Sequence, residues 1–161
     1  MDQAERRQFV REHRTCVFGY ARKQGPPSMS IVYYVMDGDD MLVSTMADRA
    51  KARVVARDPQ VSLCVLDESW PVTYLVVYGE ARVETDPDAV VDLMMKVGAL
   101  MSGEKVPDAA RPAVRAMAEK EQRVVVRVTP LETFETPPKH LYAGDDGSKL
   151  QHGLGATLPW R

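Results

Sequence analysis

The chain has 161 residues, enough for about one domain, which at that size buries roughly 68–70% of the surface its unfolded form exposes. Twenty-one Lys and Arg stand against 23 Asp and Glu, a net charge of −2, so no global positive field recruits nucleic acid or an anionic membrane, and any anion must be held locally. Hydrophobic residues make up 45% and charged residues 27%, the balance of a globular chain. No apolar run approaches the ~18 residues of a membrane span and the N-terminus has no signal-type apolar stretch, which predicts a cytoplasmic protein without membrane partners.

Phe9, Val10 and His13 recur at helical spacing among charges and predict a short amphipathic helix over residues 4–13. Thr15 to Arg22 reads as a strand that stops at Gln24-Gly25-Pro26-Pro27. Ser28 to Met36 is a second strand, and Asp37-Gly38 turns it into a third, Met41 to Thr45. The period then changes: Ala50, Val54 and Val55 share one side of a helix over Arg49 to Arg57, with Asp48 as expected N-cap and Asp58-Pro59 as its stop. Val61 to Leu66 and Thr73 to Glu84 are the fourth and fifth strands, with Gly79 marking a bulge or close approach. Asp86-Pro87 opens a helix carrying Val90, Leu93, Met94, Val97 and Met101, ended near Gly103. Pro107 to Gln122 is another helix, with Val114, Met117 and Ala118 as its stripe, and Arg123 to Val128 is a sixth strand.

Six strands on short turns, one helix after strand three and two before strand six, predict a mainly β, α+β domain: an antiparallel barrel, closed or split, with peripheral helices. It would occupy residues 1–136. Residues 137–161 show no period and are expected to form an irregular tail, with Leu154, Leu158 and Trp160 to bury over the site or on a partner subunit. Tyr74-Leu75-Val76-Val77-Tyr78 is apolar on both faces, so its outer face is expected to meet another subunit in a homodimer. Cys16 and Cys64 lack any redox or zinc spacing and are expected to be reduced core thiols.

No hydrolase, metalloprotease, P-loop or dinucleotide motif occurs, and His13, His140 and His152 are scattered, so no metal site is expected. The informative stretch is Ser44-Thr45-Met46-Ala47-Asp48-Arg49-Ala50-Lys51-Ala52-Arg53. Cations at a helix start oppose its positive partial charge at roughly 0.3–1 kcal/mol each, unless an anion binds among them. The competing reading makes Arg49, Lys51 and Arg53 an ordinary solvated face.

In order and spacing, Gly25-Pro26-Pro27-Ser28-Met29-Ser30, the Asp37-Gly38 hairpin, Asp48-Arg49-Ala50-Lys51-Ala52-Arg53, Arg57-Asp58-Pro59 and Gly79-Glu80-Ala81 resemble the pyridoxamine 5′-phosphate oxidase-like split barrels. The nearest likeness is to their flavin/deazaflavin branch, the F-420-dependent reductases. The resemblance spans roughly residues 8–136 and implies a split barrel of six antiparallel strands. It places the cofactor phosphate on Arg49 and Lys51 and the ring against Ser30, Val32, Ser44 and Thr45 at a dimer interface. It also places the polyglutamate tail of F-420 near Arg22 and Lys23, which otherwise read as a polar hairpin end. At position 54 this chain has Val where the F-420 branch often has Asn.

The function the resemblance implies is an F-420-dependent reductase that transfers hydride to an unsaturated or quinone-like small molecule. One alternative is an FMN-binding oxidase of the pyridoxamine-phosphate type; another is a protein that stores a flavin or tetrapyrrole without turnover. The cofactor does the hard chemistry, so no catalytic triad is required. No catalytic residue is assigned: Tyr33, Tyr34, Tyr74 and Tyr78 are candidate proton donors or packed aromatics, while Trp70 and Tyr74 are candidates for the substrate pocket.

Overall fold

The computed structural model describes residues 1–69, 72–136 and 154–161. Helix α1 (Gln3–Glu12) starts with a reciprocal cap: the Asp2 carboxylate accepts from the Glu5 backbone N–H at 2.8 Å, and the Glu5 carboxylate accepts from the Asp2 N–H at 2.7 Å. Then follow β1 (Thr15–Tyr20), β2 (Ser28–Tyr33), β3 (Val35–Asp37), β4 (Asp40–Met46), α2 (Ala50–Val55), β5 (Gln60–Asp67) and β6 (Thr73–Glu84). Helix α3 (Pro87–Ser102), a 3-10 turn at Asp108–Ala110, α4 (Arg111–Lys120), β7 (Arg123–Glu135) and β8 (Ala156–Pro159) complete the chain.

The strands form one antiparallel sheet in the order β2-β1-β5-β6-β7-β4-β3, with β8 added to the far half of β7. The sheet curls around Phe18, Val43, Leu63, Val65, Leu75, Val77, Val126 and Val128, all 0% exposed. A second cluster, Leu42, Val90, Leu93, Ala118 and Val125, packs α3 and α4 onto β4 and β7. The start of β7 is thus covered on both faces, which explains its unbroken Val124-Val125-Val126 run. Strand β2 comes close to β4, yet no ladder joins them. The barrel is split along that seam.

The split barrel with peripheral helices is the expected architecture, but it has eight strands where the sequence indicated six. The second predicted strand is two, because Tyr34 leaves the ladder: its N–H donates to Arg14 O at 3.0 Å and its hydroxyl to Val10 O at 2.6 Å, with the ring buried. Strand β7 continues well past Val128. Pro130 is accommodated because it faces Gly79 at a register shift, where a donor is not required. Gly79 is the expected close approach: a Cβ there would lie 2.7 Å from Thr129 O.

The C-terminal residues 156–159 are a strand and not an irregular tail. Trp160 is 2% exposed in the core, Arg6 donates to Thr133 O at 2.8 Å and Ala156 O at 3.0 Å, and Arg7 donates to Trp160 O at 2.6 Å. This end therefore docks on β7 and α1. Residues 137–153, with His140 and His152, lie outside the described residues. Among the described residues no helix is long and apolar enough to cross a membrane.

Candidate functional site

A cavity of about 370 Å³ occupies the seam, lined by Ser28, Ser30 and Ile31 of β2, Ser44, Thr45 and Met46 of β4, and Arg49, Ala50 and Lys51 around the start of α2. Tyr20 at the end of β1 and Arg123 at the start of β7 complete the wall. Alternation along β4 sets part of this lining: Val43 and Thr45 are buried, while Ser44 faces the other way. The β4–α2 turn is pinned when Ala47 N–H donates to Gln122 O at 2.9 Å and Arg49 N–H to Met46 O at 3.1 Å.

Helix α2 is shorter than expected. Arg49, not Asp48, is its N-cap and makes no side-chain cap bond, and only Ala50–Val55 are helical. A six-residue helix contributes little dipole, so the electrostatics of the cavity rest on side chains. Three cations line it and no carboxylate does. Lys51 is 9% exposed, its ammonium 4.9 Å from the centroid of the Phe18 ring, and it has no acceptor among the described residues. Burial pulls its pKa below the ordinary 10.5, opposed by the neighbouring Cys16. Burial in turn lifts the Cys16 thiol to about 12, so it stays protonated. Ser44 Oγ is buried with no hydrogen-bond partner. A largely buried lysine with no acceptor among the described residues and a buried, unpartnered hydroxyl, in one cavity, are the arrangement an anionic ligand would complete.

Of the residues singled out from sequence, Ser30, Ser44, Thr45, Arg49 and Lys51 meet in this cavity. Val32 does not line it: it stands opposite Cys16 and packs on the core. Arg22 and Lys23 are exposed in the β1–β2 connection, outside the lining. The Tyr74 hydroxyl donates to Thr136 Oγ1 at 3.0 Å, away from the cavity. Trp70 lies outside the described residues. Tyr34 is structural, its phenol pKa raised by burial. Tyr20, Ser28, Ile31, Met46 and Arg123 are lining residues the sequence reading missed. Tyr20 continues an inward-facing alternation, whereas Arg123 reaches the cavity only through the β4–β7 register, opposite Met46.

The outer sheet face carries a registered row, Ile31–Val17–Cys64–Val76–Phe134, across five strands. Ile31 is 79% and Met29 71% exposed, and Leu66, Tyr78 and Leu131 are exposed beside them. Cys64 therefore sits half-buried on this face and not in the core; both cysteines are free. A broader depression of about 710 Å³ on the same face is lined in part by Tyr20, Met29, Tyr78, Gly79 and Leu131. Ile31 belongs both to this face and to the seam cavity. Among the described residues no group of three His, Cys, Asp or Glu side chains is placed to hold a metal ion.

Residues 3–136 match the family model for pyridoxamine 5′-phosphate oxidase. The chain belongs to this family. Among solved structures, a conserved hypothetical protein from Mycobacterium tuberculosis is similar over 92% of this chain and 94% of its own, with TM-score 0.74 and 25% identity. An F-420 reductase is similar over 78% of this chain and 93% of its own, with TM-score 0.61 and 21% identity. The haem storage protein of Vibrio cholerae is similar over 79% and 88%, with TM-score 0.57 and 17% identity. The last two likenesses are of fold alone. One fold thus carries both an F-420 reductase and a haem storage protein. No curated protein matches the chain.

Proposed function

We propose that this family member is a cytoplasmic F-420-dependent reductase, working as a homodimer and passing hydride to an unsaturated or quinone-like small molecule. The observation that carries this reading is that Lys51, whose ammonium has no acceptor among the described residues, and the unpartnered Ser44 Oγ line one cavity together with Arg49 and Arg123 and with no carboxylate. Arg49 and Lys51 would hold the phosphate, because charge-assisted contacts in a half-enclosed site are roughly twice as strong as neutral ones. Ser44 would donate to the ligand, and Ser30 and Thr45 would flank its ring. Reduced F-420, when bound, supplies the hydride, so the chain needs only to bind, orient and exclude water.

The homodimer is supported by the apolar outer face, where Met29, Ile31, Leu66, Tyr78 and Leu131 are exposed and which a single chain has no reason to leave in water. Ile31 makes that face continuous with the cavity, so a second copy would close the open side of the site over the ring. Tyr74 would then stand on the covered face. Two free cysteines suit a reducing cytoplasm.

A second reading, FMN as cofactor, is favoured by one observation: Arg22 and Lys23 do not line the cavity, as a ligand without a polyglutamate tail would allow. Titrating the purified protein with F-420 and with FMN, followed by absorbance and fluorescence, separates the two. Tighter binding of F-420 with turnover of a quinone acceptor supports the first reading. Binding of neither at micromolar concentration overturns both, and a Soret band on adding haem would point to storage instead.

A further inference from the structure

We infer that Arg123 is a third anion-binding side chain of the seam cavity and that Glu121 acts as its exchangeable counter-ion, setting how tightly the cavity holds a phosphate-bearing ligand. The inference deepens the proposed function and rests on its assignment of the cavity as an anion site. Arg123 lines the cavity although it lies 72 residues beyond Lys51 in the chain. Its Nε donates to Glu121 Oε2 at 2.6 Å, and its two terminal nitrogens have no partner among the described residues. A guanidinium has five N–H donors in a fork matched to phosphate oxygens, so one contact to a carboxylate leaves most of its binding capacity unused.

The backbone is arranged around this pair. Gln122, between the two side chains, has φ +51°, a left-handed conformation that is strained for a non-glycine residue. That kink turns the chain from α4 into β7, and its carbonyl accepts the Ala47 N–H, tying it to the loop that carries Arg49. Arg123 and Met46 are ladder partners, and Met46 O holds the Arg49 N–H. Two turns from distant parts of the sequence are thus locked together so that Arg49 and Arg123 stand on one cavity wall. Glu121 lies outside the lining, where it can neutralise Arg123 in the free protein and release it when a stronger anion enters.

The test is the sign of a substitution. Isothermal titration with inorganic pyrophosphate, FMN and F-420 is run on wild type, Glu121→Gln, Arg123→Gln, Arg123→Lys and the Glu121→Gln/Arg123→Gln double variant, with Tm as a folding control. Glu121→Gln is expected to tighten anion binding by about threefold or more, and Arg123→Gln to weaken it by about tenfold, with Arg123→Lys in between. The double variant should lose the gain. If the ion pair only braces the turn, both single variants lower Tm and Glu121→Gln does not tighten binding, which overturns the inference. Wild-type binding of F-420 or FMN alongside that result leaves the proposed function standing. Tightening toward pyrophosphate without any cofactor binding would overturn the proposed function and keep the inference, and absence of all anion binding overturns both.

Discussion

Replacing Lys51 with Met separates a binding role from a structural one, because the two roles predict opposite changes. In the ligand-free protein the Lys51 side chain is 9% exposed and its ammonium has no acceptor among the described residues, so its partial desolvation costs about a few kcal/mol. The Phe18 face 4.9 Å away returns about 0.5–2 kcal/mol. Met keeps the aliphatic stem and drops the charge. The ligand-free variant should therefore be more stable by about 1–2 kcal/mol, which for a domain of this size raises Tm by roughly 2–8 °C. Its affinity for F-420 or FMN should fall about 10–100-fold, the loss of one charge-assisted contact.

The pH dependence carries the same sign. The folded-state pKa of Lys51 lies below 10.5, so the folded chain sheds this proton before the unfolded chain does. The destabilisation is complete below the folded pKa and relieved as pH rises through it toward 10.5. Between those values wild-type stability should gain on the variant, while groups common to both proteins cancel. Anion binding restores the charge, so affinity should fall as pH climbs through the same window. Thermal and urea unfolding with parallel titrations measure all of this, and either a lowered Tm or an unchanged affinity in Lys51→Met refutes the reasoning.

Other substitutions test other parts of the design. Ile31→Glu, at a site 79% exposed in one chain, should leave the Tm of a monomer nearly unchanged, yet sedimentation should show the dimer lost and cofactor affinity reduced; a wild-type mass of one chain, 18.0 kDa, would refute the dimer. Gly79→Ala would press a methyl within 2.7 Å of Thr129 O and should cost about 1–3 kcal/mol in urea denaturation, whereas a neutral result would mean the bulge relaxes freely. Trp160→Ala removes a 2%-exposed ring from the core and should cost about 3–5 kcal/mol; if unfolding is unaffected, β8 is not part of the folded unit.

Local chemistry made much of the fold legible. Asp37-Gly38 forms the tight turn, with Gly38 at φ +62°; Asp86 caps α3 by accepting from Asp88 and Ala89 N–H groups; and Gly103 ends that helix at φ +78°. These are outcomes of a few adjacent residues, which a linear reading can weigh. The break at Tyr34 was not legible, since it depends on Arg14 and Val10 waiting across the core. Nor was the passage of β7 through Pro130, which only a glycine 51 positions earlier makes tolerable.

The site divides in the same way. Arg49 and Lys51 stood out because cations cluster in a short stretch, and Ser44 and Thr45 follow directly from the strand before them. What the residues by themselves determined was the set of elements and the positive charge at one turn. Only the tertiary structure decided that β2 and β4 remain unzipped, that Lys51 and Ser44 meet in that gap without a partner among the described residues, and that Arg123 joins them. The physical reason is that burial and register are properties of strands brought together from separate parts of the chain, and neither burial nor register is written in any one segment.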